Sequence, residues 1–285
     1  MALILMKQEG FYVADLSEEY PISEEQKAAY RRDGHVLCRG LATAAEIAEY
    51  GPAIRDAADR FNVEHRPIEQ RDTYGKAFLQ IMNLWVRDEI VRRYTLSRRF
   101  ARVAAELMGV DGVRIYHDQA LFKEPGGGPT PWHQDQFYWP LDTNNTITLW
   151  MPLVDIPAVV GSMVFGSGSN AHGYLGDLPI SDTSQAELEK FIQERGITKT
   201  GYGAMNAGDA TYHSGWTLHG APGNPTANMR AVMTVIYFAD GTRVSTPRNE
   251  NQKSDLANWL PGCVPGGIAA SNLNPLVYSG TGPVD

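Results

Sequence analysis

The sequence predicts an α+β protein whose core is a β-sandwich or β-barrel, with helices gathered ahead of it. Three observations carry this reading. Capped helical spacing fills the chain up to about residue 110. Short runs rich in β-branched and aromatic residues follow, and Gly, Pro and Asn clusters punctuate them. Helices first and many short strands afterwards separate the two kinds of element along the chain, as α+β architectures do.

The first helix is expected in "SEEQKAAYRRDG", where Ser23 and Gln26 form a capping box and Gly34 is the stop. "HVLCRG" reads as a short strand. "TAAEIAEYGPAIRDAADRF" opens on a second box, Thr43 with Glu46, and Gly51-Pro52 is expected to break or kink it. "SRRFARVAAELMG" is helical as far as Gly109. Strands are then expected in "VRIYHDQALFKE", "TITLWMPLV", "SMVFG", "DATYH" and "AVMTVIYFA", with one interrupting helix, "SQAELEKFIQERG". From Gly241 the chain is rich in Gly, Pro, Asn and Ser and reads as an irregular tail that packs over the core or frays. The organisation expected is one domain over 1–285: a helical part at about 20–110, a β core at about 111–240 and a tail at 241–285.

With 43% hydrophobic and 20% charged residues, the composition allows a full core. There is no run of about 18 apolar residues, so no membrane span is expected. The start, "MALILMKQEG", lacks the basic region and cleavage site of a signal peptide. Cys38 and Cys263 form neither a disulfide framework nor a zinc spacing. A reducing, cytoplasmic location is the simplest expectation. The net charge of -8 argues against non-specific nucleic-acid binding. The one basic concentration, Arg92, Arg93, Arg98, Arg99 and Arg102, is expected to be a solvated helix face.

Chemistry concentrates in two stretches. In "TPWHQDQFYWP", His133 and Asp135 are two positions apart, so on a strand both would project from one face. Alone, such a pair is a weak sign of metal binding. The second stretch, "GDATYHSGWTLHGAPGNPTANMRAVMTVIYF", places His219 in a loop. Gly220 follows it and would let the backbone approach a ligand. Arg230 directly precedes an apolar strand, where a buried guanidinium needs a partner, a carboxylate being the natural one. His117 and Asp118 are neighbours on a strand and point to opposite faces, so they do not chelate together. Two histidines and a carboxylate form a facial triad, which leaves positions open and suits non-haem Fe(II). Zinc remains the chemical alternative.

In order and texture, "PWHQDQFYWP", then "TLWMPL", then "GDATYHSGWTLHGAPGN" and "MR" resemble the phytanoyl-CoA dioxygenase family, from about residue 20 to 240. The resemblance implies a double-stranded β-helix (a jelly-roll, cupin-like barrel) and Fe(II)/2-oxoglutarate-dependent dioxygenase chemistry with O2. It implies that His133, Asp135 and His219 bind the metal and that Arg230 pairs with the far carboxylate of 2-oxoglutarate. Gln119 and Gln80 match co-substrate contacts, Trp150 matches a tryptophan lining the same pocket, and His213 is read as a residue behind the ligands or a strand residue, not a ligand. Phe137, Tyr138, Trp139 and Trp216 would wall a dry substrate pocket, or simply pack the core.

The chain also departs from the pattern. Ala221 stands where relatives commonly carry Ser or Thr. "GSGSNAHG" replaces a "PGSH"-like turn, with Asn170 in place of its histidine, in a loop expected to border the site. Asp135 is retained, which argues against halogenation. The implied activity is oxidation of an unactivated C–H of a small molecule, by hydroxylation, epimerisation, desaturation or cyclisation in natural-product biosynthesis, with release of succinate and CO2. An acyl-CoA hydroxylase, a non-catalytic metal-binding module and a zinc hydrolase are the alternatives. An acidic, aromatic-rich chain suits a neutral, ring-bearing substrate better than coenzyme A phosphates. No oligomeric state is implied.

Overall fold

The computed structural model describes residue 16 and residues 18–160 and 162–281; the opening "MALILMKQEG" lies outside them. In chain order the elements are α1 (Glu24–Asp33), β1 (His35–Cys38), α2 (Ala44–Phe61), α3 (Thr73–Ala77), β2 (Leu79–Met82), α4 (Glu89–Thr95), α5 (Arg98–Met108), β3 (Gly112–Lys123), β4 (Thr130–His133), β5 (Thr146–Pro152), β6 (Val164–Gly166), α6 (Asp182–Glu194), β7 (Lys199–Gly201), β8 (Ala210–Ser214), β9 (His219–Ala221), β10 (Arg230–Ala239), α7 (Glu250–Trp259) and β11 (Leu276–Ser279).

Both predicted capping boxes form, Ser23 with Gln26 and Thr43 with Glu46. Gly34 ends α1 with φ 77°, and a side chain there would collide with Thr217 and Asn170, so two independent reasons demand glycine. The expected break at Gly51-Pro52 does not occur, and α2 runs on to Phe61. Proline clashes with the Cβ of the residue before it, and Gly51 has none. The arginine cluster is not uniformly solvated either. Arg99 is buried and forms a two-pronged pair with Glu46, Nη1 and Nη2 each 2.9 Å from a carboxylate oxygen.

Two antiparallel sheets form the β part. The larger has the order β1-β8-β5-β10-β3-β11, with β2 also pairing with β3; the smaller has the order β4-β9-β6-β7. Alternation sorts the faces of the large sheet. On β10, Ala231, Met233, Val235 and Tyr237 join the apolar cluster that holds α2, α4 and α5. Arg230, Thr234 and Ile236 face a cavity instead. On β5, Ile147, Leu149 and Met151 pack under the helices, while Thr148 and Trp150 face the cavity. A bulge in the β3–β10 pairing leaves Tyr116 without a partner and switches the parity of β3. Ile115 therefore packs under the helices, yet His117, Gln119 and Leu121 reach the cavity.

The segment from Gly241 is not irregular. It contains α7 and β11, and β11 pairs with the start of β3. Helix α7 is tied down where Gln252 Nε2 donates to the Phe137 carbonyl at 3.0 Å and Tyr116 Oη donates to Asp255 at 2.9 Å. Among the described residues, no helix is long and apolar enough to cross a membrane.

Candidate metal centre

A cavity of about 290 Å³ lies between the two sheets, and residues of both line it. His133 and His219 are direct partners across the β4–β9 pair, with ring centroids 4.0 Å apart. The smaller sheet thus supplies both nitrogens from one cross-strand pair. His219 lies at the start of a strand, not in a loop as expected. Gly220 is needed for a different close approach than expected: a Cβ there would sit 2.8 Å from the Thr130 carbonyl oxygen of the neighbouring strand.

Strand β4 ends at His133, and Asp135 opens a short 3-10 turn, so the two do not share one strand face. The turn still returns the carboxylate to the histidines. Asp135 Oδ1 lies 3.6 Å from His133 Nε2 and 3.5 Å from His219 Nε2. One ligand atom from each of these residues falls within 4.8 Å of the others.

The hydrogen bonds leave those atoms in ligand form. His133 Nδ1 donates to the Pro131 carbonyl at 2.8 Å, and His219 Nδ1 donates to the Thr217 carbonyl at 2.9 Å. A carbonyl only accepts, so each proton sits on Nδ1 and each Nε2 lone pair is free. Burial pushes His133 down to about 3, keeping the ring neutral. Burial alone would raise Asp135, but the His219 and His213 imidazoles packed against it outweigh that and hold the carboxyl well below its ordinary value. Asp135 Oδ2 is occupied by Thr148 Oγ1 at 2.8 Å and His213 Nε2 at 3.1 Å, which turns Oδ1 towards the histidines. His213 therefore orients the carboxylate, as a residue behind the ligands would.

At the inner end of the cavity Arg230 is buried, with its centre 5.5 Å from the Trp150 ring. Its Nε and Nη1 atoms have no hydrogen-bond partner among the described residues. Burial lowers it to about 10, which still leaves a cation at neutral pH. Next to it, Lys123 is fully buried, donates to the Gly128 carbonyl, and lies 3.3 Å from Thr130 Oγ1. Thr130 lines the cavity directly across the β4–β9 pair from Ala221.

Gln119, Trp150 and Gln80 all reach the cavity wall, and Gln80 accepts the Tyr74 hydroxyl at 2.6 Å. Tyr138 and Trp139 line the outer part. Phe137 and Trp216 do not. Phe137 is packed edge-on to Tyr138, and Trp216 bonds Asn144 at 2.9 Å beside Tyr174. The loop carrying Asn170 is also absent from the wall; it packs beside Gly34 and Thr217 instead. Sequence reasoning missed Thr148, Thr130 and the α7 residues Ser254, Asp255, Asn258 and Trp259. Thr148 was within reach of the same-face rule, two positions before Trp150. As predicted, His117 and Asp118 part company: His117 lines the cavity, while Asp118 accepts the backbone N–H groups of Leu84 and Trp85 beneath the helices.

The donor set therefore fits a divalent metal with open positions, and the unpartnered guanidinium beside it fits a carboxylate ligand. Known proteins resemble this chain in sequence and fold. The dioxygenase FrzG of a Cladobotryum species is 25% identical over 253 residues, covering 83% of this chain and 81% of that protein. The epimerase SnoN of nogalamycin biosynthesis, whose crystal structure holds Fe3+, alpha-ketoglutarate and nogalamycin RO, superposes with a TM-score of 0.71 at 26% identity, over 89% of this chain and 98% of that one. The carbocyclase SnoK superposes with a TM-score of 0.72 at 22% identity, over 90% and 96% of the two chains, and so shares the fold. The sequence pattern of one family, phytanoyl-CoA dioxygenase (PhyH), matches residues 30–232, the span that carries every cavity residue from Tyr74 to Arg230, and the chain belongs to that family.

Proposed function

We propose that the protein oxidises an unactivated C–H bond of a small organic molecule in natural-product biosynthesis, by hydroxylation, epimerisation, desaturation or cyclisation. It is an oxidoreductase of the Fe(II)/2-oxoglutarate-dependent dioxygenase class. The observation that carries the reading is one cavity holding both the three converging ligand atoms and the buried, unpartnered Arg230. The two antiparallel sheets around it fit the double-stranded β-helix of such enzymes.

In this reading His133, Asp135 and His219 would hold Fe(II), and Arg230 the far carboxylate of 2-oxoglutarate. Iron and 2-oxoglutarate, when bound, supply with O2 the oxidising power, and succinate and CO2 are released. The chain's own residues do the positioning. Thr148 and His213 fix the Asp135 carboxylate, and backbone carbonyls fix both histidine tautomers. Trp150 stacks on Arg230 and restricts the plane a carboxylate can meet. Gln119 and Gln80 offer amide groups on adjoining strands. Tyr138 and Trp139 exclude water from the outer part, where substrate would lie.

The alternatives fit less well. Arg230 has no role in a zinc hydrolase, and a non-catalytic module has no need of both the ligand set and the guanidinium. For an acyl-CoA, the cavity wall on α7 offers Asp255 where phosphates would need cations. The partner expected is a small-molecule substrate in the cytoplasm, with no nucleic acid and no membrane.

The test is an anaerobic titration of metal-free protein with Fe(II) and 2-oxoglutarate. A weak visible charge-transfer band is expected in the wild type and absent in Arg230→Ala. Iron binding without the band in the wild type would overturn the co-substrate site.

A further inference from the structure

The outer wall of the cavity contains a second charged group that the oxygenase reading does not use. Helix α7 brings Asp255 to the cavity, half-buried, with Ser254 and Asn258 exposed on either side of it at the mouth. Tyr116 Oη donates to Asp255 Oδ2 at 2.9 Å, and Trp259 also hydrogen-bonds the carboxyl. Burial pushes this carboxyl up to about 7, against the two hydrogen bonds that lower it, so a cation beside it is what would hold it fully charged at neutral pH. Among the described residues no Lys or Arg forms a salt bridge with Asp255. The nearest cations in sequence are engaged elsewhere: Lys253 with Glu250, and Arg248 over the Tyr174 ring. A carboxylate withdrawn from water without a counter-ion is costly. Arg230 shows the same deficit at the other end, and there the missing partner is a ligand.

The surroundings define the ligand's chemistry. Tyr74, Tyr138, Trp139 and Trp259 line the cavity near Asp255. The hydroxyls of Tyr74 and Tyr138 are already engaged, with Gln80 and with the Ile180 N–H. What these side chains mainly offer the cavity is ring surface. Aromatic rings around one carboxylate form a site for an organic cation, because the ring faces are electron-rich and the carboxylate supplies the counter-charge.

We infer that Asp255 and the aromatic wall on α7 form a subsite for a protonated amine, and that the substrate is an amine-bearing organic molecule whose C–H bond lies towards the metal. The inference builds on the oxygenase reading and makes it more specific. It also replaces the neutral substrate expected from composition.

Two probes of similar shape test it: 2-phenylethylamine, cationic at neutral pH, and 2-phenylethanol, which is neutral. Binding to wild type and Asp255→Asn is followed by quenching of tryptophan fluorescence, since Trp139 and Trp259 line the site. The wild type is expected to bind the amine at least about tenfold more tightly than the alcohol. Asp255→Asn is expected to bind the two within about twofold of each other. The Fe(II)/2-oxoglutarate band in the same variant reports that the fold is intact. Equal binding of the probes by the wild type, no amine binding at all, or a preference that survives Asp255→Asn would each overturn the inference. If the wild type gives no band but shows an Asp255-dependent preference, the amine subsite stands and the oxygenase reading falls.

Discussion

Ala221 stands two residues beyond His219, where the family commonly carries a hydroxyl, and the structure puts another hydroxyl close by. Thr130, its partner across the β4–β9 pair, faces the cavity with Oγ1 3.3 Å from Lys123 Nζ. Because strand partners stand side by side, a hydroxyl lost from one strand is replaceable from the other. Thr130→Val is therefore expected to weaken 2-oxoglutarate binding by about tenfold, the worth of one hydrogen bond to a charged group. Adding Ala221→Ser to that variant is expected to recover part of the loss. Titration of the charge-transfer band measures both. An unchanged affinity in Thr130→Val would remove Thr130 from the co-substrate site. Lys123 adds a cation whose charge is held weakly, since burial first and then the Arg230 charge pull it down to about 7. The missing hydroxyl at Ala221 was legible along the chain, but its replacement by Thr130 was not. Thr130 and Ala221 lie far apart in sequence, and only the register of the smaller sheet makes them neighbours.

Helices α2 and α5 meet the large sheet as a unit because Glu46 has two tasks. It closes the capping box on the Thr43 N–H at 2.7 Å, and it receives both prongs of Arg99, which also reaches the Leu41 carbonyl at 3.1 Å. Both side chains are almost wholly withdrawn from water. Removing one partner strands the other's charge, so Arg99→Met is expected to cost about 3 kcal/mol. Calorimetry should show the melting temperature fall by roughly 6–12 °C. A change within about 1 °C would show that Glu46 is not stranded by the loss and that the ion pair does not hold the two helices together. Both capping boxes were legible, since they are local signals with fixed spacing. The ion pair was not, because a run of arginines reads alike whether one of them turns inward or none does. Pro52 was read as a break or a kink, and the break fails because the rule for proline was applied without the effect of Gly51 before it. The spacing of His133 and Asp135 led to two residues that the structure does bring together, but by another path: i and i+2 share a strand face, whereas here a 3-10 turn brings them together.

Helix α7 was missed although Asn249 caps it, its Oδ1 accepting the Gln252 N–H at 2.8 Å; the Gly- and Pro-rich surroundings outweighed that local signal. The consequence reaches the whole molecule. Residues after Gly241 complete a second apolar cluster, in which Val244, Leu260 and Ala269 pack with Tyr116, Trp139, Ile236 and Phe238. The same segment carries Asp255 and Trp259 to the cavity and adds β11 to the edge of β3. It is a wall of the structure, held by the Gln252 and Asp255 hydrogen bonds and a buried leucine, and a loose lid would have few such ties. A chain ending at Ala239 would therefore expose apolar side chains of β3 and β10 and leave the cavity open to water. That truncation is expected to bind a hydrophobic dye strongly and to lose the sharp unfolding transition of the full chain, which should unfold as one unit. Chemical denaturation followed by fluorescence and by circular dichroism checks both statements. Coincident transitions in the full chain, and their loss on truncation, fit one domain that includes the tail. If the truncated chain unfolds as sharply as the full one, the segment is an appendage, and the walls it provides were added to a core that folds without it.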